Sequence, residues 1–244
     1  MRIPRIFIDQ PLESGADVVL PATISHYLSR VLRLEKNAAL VLFNGQGGEY
    51  KAQLTTSVKR NSAVTIGAHI DKDRQSPLKI QLGVGMSRGE RMDLIIQKAT
   101  ELGVDSITPL FTERCEVKLS GERSDKRLSH WRKISISACE QSGRTLLPDI
   151  QPPMTAAIWL AKVKADVKLV LEPSARHGVP TTSIPATAAL FTGPEGGLTE
   201  NEVSLAESFG FQSINLGPRI LRTETAPIAA LSILQYQWGD MQLG

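Results

Sequence analysis

Cysteine is scarce in this chain. Only Cys115 and Cys139 occur in 244 residues, and they form no CxxC arrangement. That suits a reducing compartment and argues against both a disulfide framework and a zinc site. The four histidines, His26, His69, His130 and His177, are scattered, so no metal is expected. No apolar stretch reaches the roughly 18 residues that a membrane span needs. The opening MRIPRIFID lacks the apolar region of a signal peptide. No membrane association is expected, and a cytoplasmic location is. The common cofactor and hydrolase signatures are missing as well. GVGMSRGE, Gly83 to Glu90, has the wrong glycine spacing for GxGxxG. There is no Walker A loop, GxSxG elbow or HExxH pair, so a nucleotide-dependent oxidoreductase is disfavoured.

What remains is ordinary globular material, 41% hydrophobic and 22% charged, long enough for one large domain or two smaller ones. The net charge is only +3, but it is unevenly placed. Residues 1–80 carry 11 Lys and Arg against 7 Asp and Glu, while residues 81–244 carry 17 against 18. A basic N-terminal third has the sign expected of a segment that meets phosphates. A mildly basic domain without such a partner reads the same at this level.

The rhythm of the chain changes near residue 75. Before it, IPRIFI, DVVL, ALVLFN, EYKAQL and SAVTIGAHI read as short strands separated by turn clusters such as NGQGG. One helix is predicted among them, Thr23 to Leu34. Its apolar stripe is Ile24, Tyr27, Leu28, Val31 and Leu32, with His26, Arg30 and Arg33 opposite. Many short strands and one helix suggest a small β-barrel. After the polar DKDRQSP stretch, strands and helices alternate. The helices include Glu90 to Leu102, a long one through Trp131 to Cys139, one opened by the capping box Thr199–Glu202, and one from about Ala226 to Trp238. That alternation implies a mainly parallel sheet covered on both faces.

Two Gly-rich loops follow strands in this second part: GPEGGLT, Gly193 to Thr199, and LGPRILRTET, Leu216 to Thr225. Glycine lets backbone approach a ligand closely. Two such loops at adjacent strand ends form a cradle for one flat, polar small molecule. Their main-chain groups suit an adenine edge, with Ile220 and Leu221 over its face. Strand ends and helix caps also use Gly and Pro, but Arg219, Arg222 and Glu224 within six residues exceed what packing needs.

Further blocks carry a resemblance: MRIPRIF, MSRGERMDLIIQKATELGV (Met86 to Val104), TPLFTERCEVKL (Thr108 to Leu119) and ACEQSGR (Ala138 to Arg144). With the two loops, they make the chain resemble the bacterial 16S rRNA uridine-N3 methyltransferases, the ribosomal small-subunit methyltransferase E family of the SPOUT superfamily. The resemblance implies an α/β fold class. Residues 1–73 would be a small PUA-like, RNA-binding β-barrel, and residues 74–244 a SPOUT domain with a deep trefoil knot. Knots are nearly excluded from proteins, so composition alone never suggests one. It further implies S-adenosylmethionine bound in the knot, a homodimer whose active site draws on both subunits, and 16S rRNA of the small ribosomal subunit as partner.

Carried onto this chain, the cofactor residues are Leu171, Glu172, Gly193, Gly196, Gly197, Leu216, Gly217, Ile220 and Leu221. The catalytic candidates are Arg222, to stabilise a uracil anion, and Glu224, to orient that arginine or relay the proton. The alternative for these two is an ion pair that holds the loop closed. Arg2, Arg5, Arg30, Arg33, Arg88 and Arg91 form the candidate RNA face. Glu195 is a bridge between loops, a contact to a second subunit or an exposed turn residue, and Lys98 and Glu101 are a local ion pair. Two competing readings share these residues: a related enzyme with another RNA target, and a non-catalytic RNA-binding or ribosome-assembly protein.

Overall fold

The computed structural model describes residues 3–71, 74–181 and 184–242. They form two compact units. The first comprises Met1–Gln75 with Cys139–Leu147, the second Ser76–Ala138 with Pro148–Gly244.

In the first unit, β1 (Arg5–Phe7), β2 (Asp17–Val19), β3 (Ala39–Phe43), β4 (Glu49–Thr56) and β5 (Ala63–Ile70) form one sheet ordered β1-β3-β4-β5-β2. Only the β1–β3 pair is parallel. Alternate residues point to one core, where Ile6, Leu40, Leu42, Leu54, Val64 and Ile66 meet Leu28. The segment after Cys139 joins this unit through side chains. Glu140 Oε1 accepts the Phe7 N–H at 3.0 Å, and the Arg144 carbonyl accepts from Arg5 Nη2 at 3.2 Å.

The predicted helix is not regular. α1 (Ala22–His26) passes into a π-helical turn, Tyr27–Val31, in which the Leu32 N–H returns to the Tyr27 carbonyl at 2.9 Å. The wider turn shifts the apolar stripe. Leu28 is buried and Ile24 and Leu32 pack on the core. Tyr27 and Val31, expected inside, are 42% and 60% exposed. The turn ends at Arg33, whose φ of 53° lies in the left-handed region, a conformation costing a residue with a side chain about 1–2 kcal/mol.

In the second unit, β6 (Lys79–Gly85), β7 (Ser106–Phe111), β8 (Asp149–Ile150), β9 (Met154–Thr155), β10 (Val167–Leu171), β11 (Thr187–Thr192) and β12 (Gln212–Ile214) form a parallel sheet. Its order is β12-β10-β11-β6-β7-β8, with β9 also paired to β7. The helices are α2 (Glu90–Glu101), α3 (Glu122–Ser142), α4 (Ala156–Lys162), α5 (Glu200–Ser208) and α6 (Thr225–Trp238). Strand alternation sends side chains to two cores. Leu169, Ala188 and Leu190 join Ile95, Trp131 and Leu231, so α2, α3 and α6 cover one face. Val170, Ala189 and Phe191 join Trp159, Leu160 and Ala206, so α4 and α5 cover the other. A parallel sheet requires this double cover. It leaves the strand ends as the open place, where β6, β7, β9, β11 and β12 lead into helices and β10 into the long loop before β11. The capping box at Thr199 is formed in both directions. No described helix is long and apolar enough to cross a membrane.

Candidate cofactor site and basic hollow

A cavity of about 390 Å³ opens at the carboxyl ends of β10, β11 and β12. Ligands of open α/β sheets bind outside the carboxyl ends of the strands, and the volume suits a small molecule. Leu171, Glu172, Gly193, Gly196, Gly197, Leu216, Gly217, Ile220 and Leu221 all line it. Sequence reasoning also missed several lining residues, among them Arg114, Thr192 and Thr223.

The geometry shows why the loops are built as they are. A Cβ on Gly193 would sit 2.9 Å from the Gly197 carbonyl carbon and from the Leu198 nitrogen, so the loop turns back on itself only with glycine there. Gly217 has φ of 101°, and a Cβ there would meet nothing within 4 Å. Its N–H donates to Asn215 Oδ1 at 3.1 Å. Arg114 Nη1 fixes the first loop by donating to the carbonyls of Gly196 at 2.9 Å and Leu198 at 3.3 Å. Thr223 Oγ1 donates to the Gly193 carbonyl at 3.1 Å, which ties the second loop to the first. Glu172 closes a turn of its own, accepting from the Ser174 N–H and hydroxyl at 3.0 and 2.9 Å.

Some groups await a partner. Thr192 Oγ1 is buried without a hydrogen bond among the described residues, although Thr192 lines the cavity. Ile220 is 87% exposed, an apolar side chain with almost no protein cover. The two cysteines are free. Burial pushes the Cys139 thiol up to about 11 and raises that of Cys115, so neither is tuned as a nucleophile. No group of three or more His, Cys, Asp or Glu among the described residues is arranged to hold a metal ion.

Comparison with known proteins places this geometry. A family model described as an RNA methyltransferase domain matches residues 74–235, and one described as an RNA methyltransferase PUA domain matches residues 20–66. The chain is 36% identical over 244 residues to the ribosomal RNA small subunit methyltransferase E of Buchnera aphidicola subsp. Schizaphis graminum, with 98% of each chain covered. This chain belongs to the ribosomal RNA small subunit methyltransferase E family. The crystal structure of the Neisseria gonorrhoeae family member bound to S-adenosylmethionine superposes with a TM-score of 0.92 at 39% identity, covering 99% of this chain and 100% of that one. A Legionella pneumophila protein in complex with the same cofactor gives 0.94 at 39% identity and the same coverage. The fold is thus an α/β SPOUT domain preceded by a PUA-type β unit.

The catalytic candidates of this family member are separated. Arg222 is exposed, and its carbonyl accepts from Thr225 and Ala226 at the start of α6. Glu224 has a 16% exposed side chain, and its Oε2 lies 3.9 Å from Arg91 Nε. That oxygen is buried without a hydrogen bond among the described residues. Among the described residues no ion pair joins Arg222 to Glu224, so the predicted local pair does not close this loop. Glu195 is the bridge instead. Its Oε1 accepts from the Arg88 N–H and from Arg91 Nη1, both at 2.9 Å. Lys98 and Glu101 form the expected local pair at 2.9 Å.

The six arginines of the expected RNA face have different fates. Arg2 lies outside the described residues. Arg5 is a correction. Its guanidinium is 10% exposed, is ion-paired with Glu49 and lies over the Phe43 ring at 5.2 Å. A buried, paired arginine cannot present its charge to a polyanion. Arg88 pairs with Glu116 at 2.5 Å, and Arg91 with Glu195. Arg30 and Arg33 alone are exposed without a carboxylate within 4 Å among the described residues. They line a hollow of about 620 Å³ with Lys36, Lys59 and one acid, Glu35, and Lys59 also borders an adjoining hollow lined by His26 and Arg60.

Proposed function

We propose that this chain transfers a methyl group from S-adenosylmethionine to N3 of a uridine in 16S rRNA of the small ribosomal subunit, acting in the cytoplasm. The observation that carries the reading is the convergence of β10, β11, β12 and both Gly-rich loops on one cavity. The residues present fit the cofactor. Gly217, where a Cβ would meet nothing within 4 Å, leaves main chain open to an adenosine, and Gly193 lets the first loop fold back on itself. The unpartnered Thr192 hydroxyl offers a hydrogen bond, and Ile220 and Leu221 provide apolar cover. Glu172 and Glu195 line a place suited to a sulfonium charge, and Arg219 lines one suited to a carboxylate. Leu171, Gly196, Gly197, Leu216 and Gly217 complete the proposed cofactor set. The domain assignment of 1–73 as the RNA grip and 74–244 as the catalytic domain belongs to the same reading. So does a trefoil knot.

The bound cofactor supplies an electrophilic methyl carbon. The chain must then hold the uracil in line with it and take the N3 proton, so positioning carries much of the catalysis. Glu224 Oε2, without a hydrogen bond among the described residues, takes that proton in this reading. Arg222, exposed beside it in sequence, stabilises the negative charge that develops on the uracil. N3 lies on the Watson–Crick edge, so the base must be unpaired or splayed out. The hollow lined by Arg30, Arg33, Lys36 and Lys59 grips the surrounding phosphates. A homodimer completes the site in this reading. The apolar residues that α6 leaves exposed, Ile233 and Tyr236, support it.

The test is nucleoside mass spectrometry of 16S rRNA from cells lacking the protein. N3-methyluridine is expected to disappear and to return when the purified chain and S-adenosylmethionine are added to small subunits. Persistence of the modified nucleoside overturns the assignment.

A further inference from the structure

The geometry points to Arg91 as a positioning residue that straps the two Gly-rich loops together and so sets cofactor affinity, rather than as an RNA contact. The inference rests on the cofactor reading above. Arg91 stands in the first turn of α2, after β6. Its Nη1 reaches Glu195 in the loop after β11 at 2.9 Å. Its Nε faces Glu224 in the loop after β12 at 3.9 Å. One guanidinium thus spans both loops of the cradle, and its planar fork offers donors in two directions.

Neighbouring contacts show the same convergence. The Arg88 N–H donates to the same Glu195 oxygen that Arg91 holds. Ser87 Oγ lies 3.2 Å from Thr223 Oγ1, which in turn bonds the Gly193 carbonyl. Three strand-end segments therefore meet through side chains at this point. Burial pushes the Glu195 carboxyl up, but the Arg88 N–H, its own N–H and Arg91 together hold it below its ordinary value of 4.5.

Charge argues against a phosphate contact here. Arg91 faces two carboxylates, Arg88 beside it is paired with Glu116, and Arg114 is engaged by the Gly196 and Leu198 carbonyls, so none of the three is left free for a phosphate. Removing Arg91 leaves Glu224 Oε2 buried with neither hydrogen bond nor cation, which is the costly kind of deletion. Neither loop belongs to a helix or strand, so the strap orders the cradle before a ligand arrives. That order is worth a coupling of the usual allosteric size.

The experiment uses the full-length chain with R91Q and R91K. Calorimetry measures S-adenosylmethionine affinity, and anisotropy measures affinity for a 16S rRNA fragment across a salt series. R91Q is expected to weaken cofactor binding about tenfold, with the RNA salt slope unchanged. R91K, which reaches one carboxylate at a time, is expected to fall between R91Q and wild type. Combining R91Q with E195Q is expected to add little, because the shared contact is already gone. Unchanged cofactor affinity in R91Q overturns the inference, as does full additivity with E195Q if R91Q proves broadly destabilised. Hydrogen exchange of the ligand-free chain separates this from the cofactor reading. Faster exchange at Glu195–Gly197 and Thr223 in R91Q supports the strap even if wild type fails to bind the cofactor. Unchanged exchange there counts against the strap.

Discussion

The arginines of the first unit's hollow and those at the second unit's strand ends share a residue type and differ in company. Arg30 and Arg33 stand with Lys36 and Lys59 around an open hollow that Glu35 also lines, and neither arginine has a carboxylate within 4 Å among the described residues. Arg88, Arg91 and Arg114 are engaged by Glu116, by Glu195 and Glu224, and by the Gly196 and Leu198 carbonyls. An unpaired cluster keeps its charge for an external polyanion. Arg91 and Arg114 have their guanidiniums engaged by loop groups, whereas the Arg88–Glu116 pair is exposed on both sides. Basic residues counted along a sequence therefore overstate a nucleic-acid surface, and pairing in three dimensions decides which of them count.

Arg5 provides the sharpest way to break that comparison. Its pair with Glu49 is nearly buried, with side chains 10% and 7% exposed. Breaking a buried pair from one side costs about 3–5 kcal/mol. Arg5→Ala is expected to lower unfolding stability by that amount in denaturant titration. The RNA affinity of the folded fraction should stay the same, and a loss confined to RNA affinity would return Arg5 to the RNA face.

Replacing Arg30 and Arg33 together with Ala should act in the opposite sense. RNA affinity is expected to fall about 10–100-fold near physiological salt. The slope of log affinity against log salt should drop by about two phosphate contacts. Cofactor affinity and thermal midpoint should hold, and an unchanged slope would contradict the assignment of the hollow.

A smaller effect sharpens the same point at one residue. Arg33 sits at φ of 53°, where glycine is relieved of strain. Arg33→Gly is expected to stabilise the chain by about 0.5–1 kcal/mol, the steric relief less the entropy that glycine loses on folding. It should weaken RNA binding a few-fold. A stabilised variant with weaker RNA binding would show that the strain is kept for function. Destabilisation would show that Arg33 is structural.

The smallest effect is a pH dependence. The folded Glu195 carboxyl titrates below 4.5. Its contribution is therefore complete above the ordinary glutamate range and is lost as pH falls through the lowered value. In E195Q, stability measured from pH 6 down to pH 3 should fall less steeply than in wild type. Parallel curves would mean that the strap carries no charge.

Much of the second unit was legible because its signals are local. The capping box at Thr199 and Glu202, the strands before both loops and the Gly-rich loops themselves each follow from a few neighbouring residues, whereas the cavity-lining residues came from the family resemblance and Arg114, Thr192 and Thr223 were missed. The short pairings β8 and β9, of two residues each, carry no pattern long enough to read, and α4 between them and β10 was missed with them. The stripe through Tyr27 and Val31 failed because a π turn changes the period that the reading assumes. Arg5 was misplaced, and the partners of Arg91 went unread, for a different reason. Glu49 lies 44 residues from Arg5, and Glu195 lies 104 from Arg91, separations that no local pattern records.

The most direct test is a crystal structure of this chain grown with S-adenosylmethionine. The account predicts the adenosine between residues 193–198 and 216–221, with the Thr192 hydroxyl within hydrogen-bond reach of the ligand and Ile220 drawn over it. A cofactor seated elsewhere, with that cavity empty, would contradict it.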